Sequence, residues 1–384
     1  TWIDLNCPYH GTWGEEIKDP GIQRERRREL LKLYANLDDD PEAVPETTAG
    51  PVEPIIPAPV AKAEPEVVKC PNWPFNEAEA RRRQEEAAAA AGVTIRRTVE
   101  LSDGVSFEMA LIPPGEFVMG SLSGEADERP VGRVRIAEPF WMAVGEVTNA
   151  QFACFDPNHD SRMESKNAYQ FGIHGYPMNG PDQPVVRVTW NAARAFCRWL
   201  SEETGEAFAL PTEAQWEYAC RAGAATPMFF GPLDADFSQF ANTSDAKMIE
   251  FVTNPYTVFD AYKDPPKYDD WIPKDTRFND GALLTVAPGR YRANAWGLGD
   301  MHGNAAEWTQ SAYRPYPYYA DDGRDDAGTA SRKVVRGGSW RDRPKRCTAG
   351  FRLGYQPYQR VYNVGLRVIA KLRSTRVAAN VPAR

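Results

Sequence analysis

The stretch from Val334 to Ile369 limits most sharply what this chain can become. It enters with the β-branched pair Val334 and Val335 running into Gly337-Gly338, and it leaves through Gly365-Leu366-Arg367-Val368-Ile369, so one short strand leads in and another leads out. The interior is rich in Arg, Tyr and Pro and follows neither the strand nor the helix period, which marks an ordered surface loop pinned at both ends by buried strands. Whatever the domain binds or transforms is expected to meet it there.

Charge and hydropathy exclude several classes. With 45 basic and 53 acidic residues the net charge is −8, so no general basic field favours nucleic acid. No apolar run approaches the roughly 20 residues that cross a bilayer, so no membrane span is expected. Hydrophobic residues make up 42% of the 384, enough for a real core in one large or two ordinary domains. The start at Thr1 rather than at Met suits a form exported to the periplasm or outside the cell after removal of a signal peptide. The six cysteines contain no CxxC pair, and His10, His159, His174 and His302 form no HExxH pattern, so zinc-ribbon and thioredoxin-like readings fall away. Inert buried thiols and one or two disulfides both stay open, a Cys7–Cys70 bridge among them.

In chain order, residues 1–37 form an N-terminal segment with a charged helix over Gly21 to Leu37, and 38–69 a proline-rich linker or strap too poor in apolar residues to build a core. Residues 70–92 carry a helix capped by Asn76 and ended by Gly92, leading into a domain over 93–370 and a tail over 371–384. The domain opens with a hairpin, Thr94 to Leu101 and Val105 to Ile112, followed by strands near Phe117, Val134 to Ile136 and Phe140 to Val144. Thr148 caps one helix. Asn191 to Thr204 is an amphipathic helix whose inner face carries Ala195, Phe196, Trp199 and Leu200. Thr212 and Gln215 form a capping box for another, with Trp216 and Tyr218 to Cys220 turned inward. From Gly223 to Ala295 the chain is irregular and dense in oxygen donors, and so long an irregular stretch needs a stabilising device.

Six blocks then carry a resemblance: Leu111 to Gly120, Glu146 to Asn149, Gln183 to Val185, Leu210 to Arg221, Trp296 to Trp308, and Arg336 to Trp340. In order and spacing they resemble the formylglycine-generating enzyme (sulfatase-modifying factor) family, over about Val93 to Ala370. The resemblance implies an α+β, irregular C-type-lectin-like domain of low regular secondary structure, stabilised by calcium, in one or two ions. Carried over by motif, one site takes the side chains of Asn242 and Asp280 with the carbonyls of Thr243 and Ala282. A second takes Glu307 with the carbonyls of His302, Gly303 and Ala305. Trp296, Trp308 and Trp340 read as core.

Active members of that family hold copper(I) between two cysteines, five residues apart, just after the Gly-Gly-Ser-aromatic turn, and oxidise a substrate cysteine to formylglycine with dioxygen. Here Asp342 stands at the first thiolate's place and Cys347 is alone, a poor soft-metal site, so copper is not expected. The family's disulfides do not carry over cleanly either: the partner expected for Cys197 is Val368. The histidines offer no ligand spacing for the iron-oxygenase branch.

Three functional readings result. In the first, the domain is catalytically silent and binds a protein partner, the subunits of an assembly, or a glycan, through Trp340, Arg341, Arg343, Arg352, Tyr355, Tyr358, Arg360 and Tyr362, residue types that give large contact area at low ordering cost; Tyr313, Tyr316, Tyr318 and Tyr319 extend the patch. In the second, Cys347, Asp342 and Ser339 form a modified oxidase site. In the third, the chemistry lies at an aromatic cleft near Trp340 and Arg336.

Overall fold

The computed structural model describes residues 68–102, 104–162, 177–250, 274–326, 328 and 331–372. The charged helix over Gly21 to Leu37, the proline-rich strap, Cys7 and most of the tail lie outside the described residues. The chain divides into two units, Thr1–Glu66 and Val67–Arg384, and the described residues all belong to the second.

That unit opens with α1, Glu77–Ala91, capped by the Asn76 side chain, which accepts from the Glu79 amide at 2.9 Å, and ended by left-handed Gly92. Its outward Arg–Glu pairs are solvent-exposed and contribute little. Its inward face carries Ala80, Gln84 and Ala88, and Gln84 donates to the carbonyls of Leu111 and Trp296, which fastens the helix to the body.

Three sheets form the rest of the frame. The expected hairpin is β1, Arg96–Ser102, with β2, Val105–Ile112. A small antiparallel pair joins β3, Gly115–Met119, to β4, Gly132–Ile136. The hairpin extends into a five-stranded antiparallel sheet through β5, Phe140–Ala143, β6, Phe208–Ala209, and a strand from the far end of the chain, Ile369–Lys371. The third sheet holds β7, Ala306–Ala312, β8, Lys333–Arg336, β9, Leu353–Tyr355, and β10, Val364–Leu366, in the order β10-β7-β8-β9 with β10 parallel to β7; Ile369–Lys371 is β11. Chain order and space thus diverge. The C-terminal stretch supplies strands to two sheets and ties them together, and its interior, read as one loop, contains β9.

The helices are short: α2, Asn149–Ala153, α3, Trp190–Thr204, and α4, Glu213–Arg221, with the Thr148–Gln151 and Thr212–Gln215 capping boxes both formed. On α3 the buried stripe is Ala193, Phe196, Cys197 and Leu200, rotated from the expected face, so that Ala195 and Trp199 are only half-buried. Trp296, Trp308 and Trp340 are core, as expected, but each sits in a different apolar cluster. Truncating any of these to Ala would cost about 3–5 kcal/mol. Cys70, Cys154, Cys197, Cys220 and Cys347 are free thiols. Cys197 and Val368 lie in one apolar cluster, and burial pushes the Cys197 thiol up to about 12. Among the described residues no helix is long and apolar enough to cross a membrane.

Candidate functional site

The turn at Gly337 and Gly338 runs at φ 90° and 67°, where glycine is favoured. At Gly338 a Cβ would lie 2.5 Å from the Cys347 Sγ, so the loop folds back tightly on its own turn. Ser339 Oγ donates to Asp342 Oδ2 at 2.6 Å and accepts from Asn363 Nδ2 at 2.7 Å. Burial pushes the Asp342 carboxyl up, against the opposing pull of Ser339 and Arg346. Cys347 is fully buried with its Sγ 3.7 Å from the Asp342 carbonyl. Burial, and then the Asp342 carboxylate, push its thiol well above the ordinary range.

The expected partner surface divides in two. Trp340 and Arg352 are buried at 0% and 3% exposure, so neither meets a partner. Arg341, Tyr355 and Tyr362 are half-buried; Tyr355 packs edge-on against Trp308 and Tyr362 against Trp340. Arg343, Tyr358 at 70% and Arg360 are exposed. Of the tyrosines beyond the loop, Tyr316 and Tyr318 are buried, Tyr313 is half-buried and Tyr319 is exposed.

Arg352 turns inward because α4 offers carboxylates inside the core. Glu213 takes the Arg352 fork through Nε at 2.6 Å and Nη2 at 3.0 Å. Glu217 takes Arg221 Nε at 2.9 Å on one oxygen and Arg336 on the other. Arg336 also donates to the carbonyls of Ala349 and Phe351, which clamps the returning loop. Burial opposes the charge on Glu217, but Arg221 and Arg336 outweigh it and hold its carboxyl below the ordinary range. The apolar pattern hides this network. The signal available in the sequence was the i, i+4, i+8 spacing of Glu213, Glu217 and Arg221 on a helix with Trp216 and Tyr218.

The first expected calcium set is brought together. Asn242, Thr243, Asp280 and Ala282 are all buried, and Asp280 accepts from the amides of Thr243 and Ala282 at 2.8 Å. Asn242 Oδ1 has no donor among the described residues. Asp245 accepts from the Asp280 amide, which places a second carboxylate alongside. Burial, then Asp245, push the Asp280 carboxyl up to about 7. An orphaned buried amide oxygen is the type of donor a hard cation takes.

In the second set, Glu307 is already occupied by other side chains. Glu307 is wholly engaged by Arg367 at 2.7–3.1 Å and by Trp216 Nε1 at 2.6 Å. A cation there would have to displace a buried guanidinium. The His302 ring bridges the Cys347 carbonyl at 2.6 Å and the Phe229 amide at 3.0 Å, and burial lowers its pKa to about 4.

Beside Glu307 lie two carboxylates to which the sequence attached no role. Glu146 uses Oε1 to accept from Asn304 Nδ2 and the Ala305 amide, and Asp300 uses Oδ2 to accept from the Gly289 amide. Glu146 Oε2 and Asp300 Oδ1 are buried without a partner among the described residues. Burial, then Asp300, push the Glu146 carboxyl well up; burial raises Asp300 to about 6. Glu146 opens one of the six ordered blocks, and only the fold brings it against Asp300.

A family described as "Sulfatase-modifying factor enzyme 1-like domain" matches residues 101–372. The formylglycine-generating enzyme of Streptomyces coelicolor is 30% identical over 274 residues, covering 60% of this chain and 77% of that protein. A cattle (Bos taurus) protein named inactive C-alpha-formylglycine-generating enzyme 2 is 26% identical over 322 residues, covering 71% of this chain and 90% of that one. The solved structure of PvdO from Pseudomonas aeruginosa superposes with a TM-score of 0.53 at 25% identity, over 72% of this chain and 98% of that one.

Proposed function

This chain belongs to the sulfatase-modifying factor enzyme 1-like family, and from that premise we propose that it is a member without the formylglycine reaction, serving as an exported binding or assembly subunit. One observation carries the reading: where the copper chemistry needs a pair of thiolates, a buried Asp342 carboxyl is hydrogen-bonded to Ser339 and the lone Cys347 thiol is sealed behind it. Two thiolates suit a soft, low-coordinate metal; one buried thiol beside a hard oxygen does not. The likeness to a relative named inactive supports this.

In place of chemistry the loop offers a rim. Arg343, Tyr358 and Arg360 stand exposed on a segment clamped from beneath by Arg336, so a protein partner would meet a preformed surface and little ordering would be lost on binding. A glycan is the other ligand class such a rim accepts. Asn242, Thr243, Asp280 and Ala282 hold one calcium ion, which would tie together two irregular segments of the chain; at Glu307 the Arg367 guanidinium takes the place of a second. Calcium at the millimolar level outside the cell would fill a site of that class.

Copper(I) titration tests the silent reading. No binding is expected beyond that of Cys347→Ser, and no dioxygen uptake with cysteine peptides; stoichiometric copper(I) lost in Cys347→Ser would overturn it. Calorimetry should count one calcium per chain, and chelation should lower stability by about 2.7 kcal/mol relative to calcium at a hundredfold excess over its dissociation constant. Tyr358→Ala with Arg360→Ala should release the protein from any larger species in native extracts while leaving its own fold intact.

A further inference from the structure

We propose that the loop after Trp340 takes an acidic polypeptide segment, with Arg343, Lys345, Arg346 and Arg360 as its counter-charges. This rests on the reading of the loop's rim as a partner surface and names the chemistry of the partner.

Charge is distributed unevenly along the chain. The whole sequence has a net charge of −8, yet residues 341–362 hold Arg341, Arg343, Lys345, Arg346, Arg352 and Arg360 against one acid, Asp342. The fold then hides the acid and keeps most of the bases at the surface. Asp342 is 8% exposed and bonded to Ser339, and Arg352 is drawn inside onto Glu213. Arg343, Lys345, Arg346 and Arg360 are exposed.

Two stretches of the loop meet to make this patch. Asn363 Nδ2 donates to Ser339 Oγ at 2.7 Å, and the Tyr362 and Trp340 rings pack edge-on at 6.4 Å. The stretch bearing Arg360 therefore returns beside the turn from which the stretch bearing Arg343 begins. The Cys347 amide donates to the Pro344 carbonyl at 2.9 Å, and both residues are buried, so the turn between them is anchored while Lys345 and Arg346 face outward. These cations are only lightly engaged. Lys345 lies 3.9 Å from exposed Glu125 and Arg346 lies 3.4 Å from Asp342, and Arg343 and Arg360 make no ion pair among the described residues.

A single exposed pair contributes little, but an array of one sign speeds the encounter with its complement and rejects cationic partners. Length decides between anions. The rest of the chain is more negative than the whole, so a long nucleic acid or sulfated glycan would run off the patch toward repelling charge, felt over about 10 Å at 0.1 M salt. A short run of Asp and Glu stays within it. The guanidinium forks of Arg343, Arg346 and Arg360 match carboxylates two bonds at a time, and Tyr358, 70% exposed, adds a rigid contact face.

The test titrates the full chain with a fluorescent oligoglutamate hexapeptide and reads anisotropy at low and high salt. Separate probes are oligoglutamine and oligolysine hexapeptides, a chondroitin sulfate hexasaccharide and a thymidine hexanucleotide, the last two close to oligoglutamate in charge. Saturable binding of oligoglutamate is expected, falling with salt, absent for the other two peptides, and weakened about tenfold or more when Arg343→Glu and Arg360→Glu are combined. Both positions are exposed, so the melting temperature should hold; Arg135→Glu, exposed on β4, should leave binding unchanged. Absence of saturable binding, equal binding of oligoglutamine, tighter binding of the glycan or the nucleotide, or an equal loss in Arg135→Glu would overturn the proposal. Release from larger species by Tyr358→Ala with Arg360→Ala reads the rim itself. Release together with failure of oligoglutamate strikes only the charge assignment, whereas retention strikes the rim and this assignment with it.

Discussion

Two buried charge clusters lie in this domain, and they are built to opposite ends. Around α4, each carboxylate oxygen of Glu213 and Glu217 meets a guanidinium from Arg221, Arg336 or Arg352. Around β7, Glu146, Asp300 and Glu307 share, among the described residues, a single guanidinium, Arg367, which is spent on Glu307. The first cluster is closed and holds a loop in place. The second is open and leaves one oxygen of Glu146 and one of Asp300 without a partner among the described residues. Buried charge by itself therefore does not mark a functional site; the unbalanced remainder does.

The largest expected effect breaks the closed cluster. Arg336→Met leaves Glu217 buried with half its charge unmet and frees the carbonyls of Ala349 and Phe351, so urea denaturation should show a loss of about 3–5 kcal/mol. A loss under about 1 kcal/mol would mean that the cluster is not the clamp.

Next comes His302, which touches neither cluster's carboxylates and so isolates a plain burial effect. Its folded pKa near 4 lies below the ordinary value of 6.5. Between those values the unfolded chain binds a proton that the folded chain refuses, so stability is complete above about pH 6.5 and falls as the pH drops toward 4. Melts at pH 7 and pH 5 should differ by about 2 kcal/mol from this group, and His302→Gln should remove that part of the slope.

The smallest change is the most informative. Glu146→Gln keeps the acceptor that Oε1 provides and removes an unpartnered charge, so the ligand-free protein should hold its stability to within about 1 kcal/mol or gain slightly. Glu217→Gln, the same change in the closed cluster, should destabilise by several times that amount. Equal losses in the two variants would erase the distinction between the clusters.

Most local structure was legible. The α1 caps, the β1–β2 hairpin and the capping boxes of α2 and α4 all depend on side chains acting on backbone within a few residues of themselves, and that information is contiguous in the chain. The α3 face was misplaced by part of a turn, because Cys197 and Ala193 look indifferent until neighbouring elements press on them. The loop after Trp340 was read as a surface carrying eight contact residues. Three of those, Arg343, Tyr358 and Arg360, are exposed, since α4 supplies an internal carboxylate for Arg352 and an apolar cluster takes Trp340.

The sequence alone determined that one thiol, Cys347, and one acid, Asp342, stand where the resemblance leads one to expect two thiols, because that is a matter of composition at two positions. It also determined the family, because six ordered blocks survive as words in the chain. Only the tertiary structure decided which charges are satisfied. Glu146 and Asp300 stand 154 positions apart in the chain, and whether a buried carboxylate meets an arginine or stays unpartnered depends on neighbours contributed by distant strands, which the long-range packing of β5, β7 and β10 brings together.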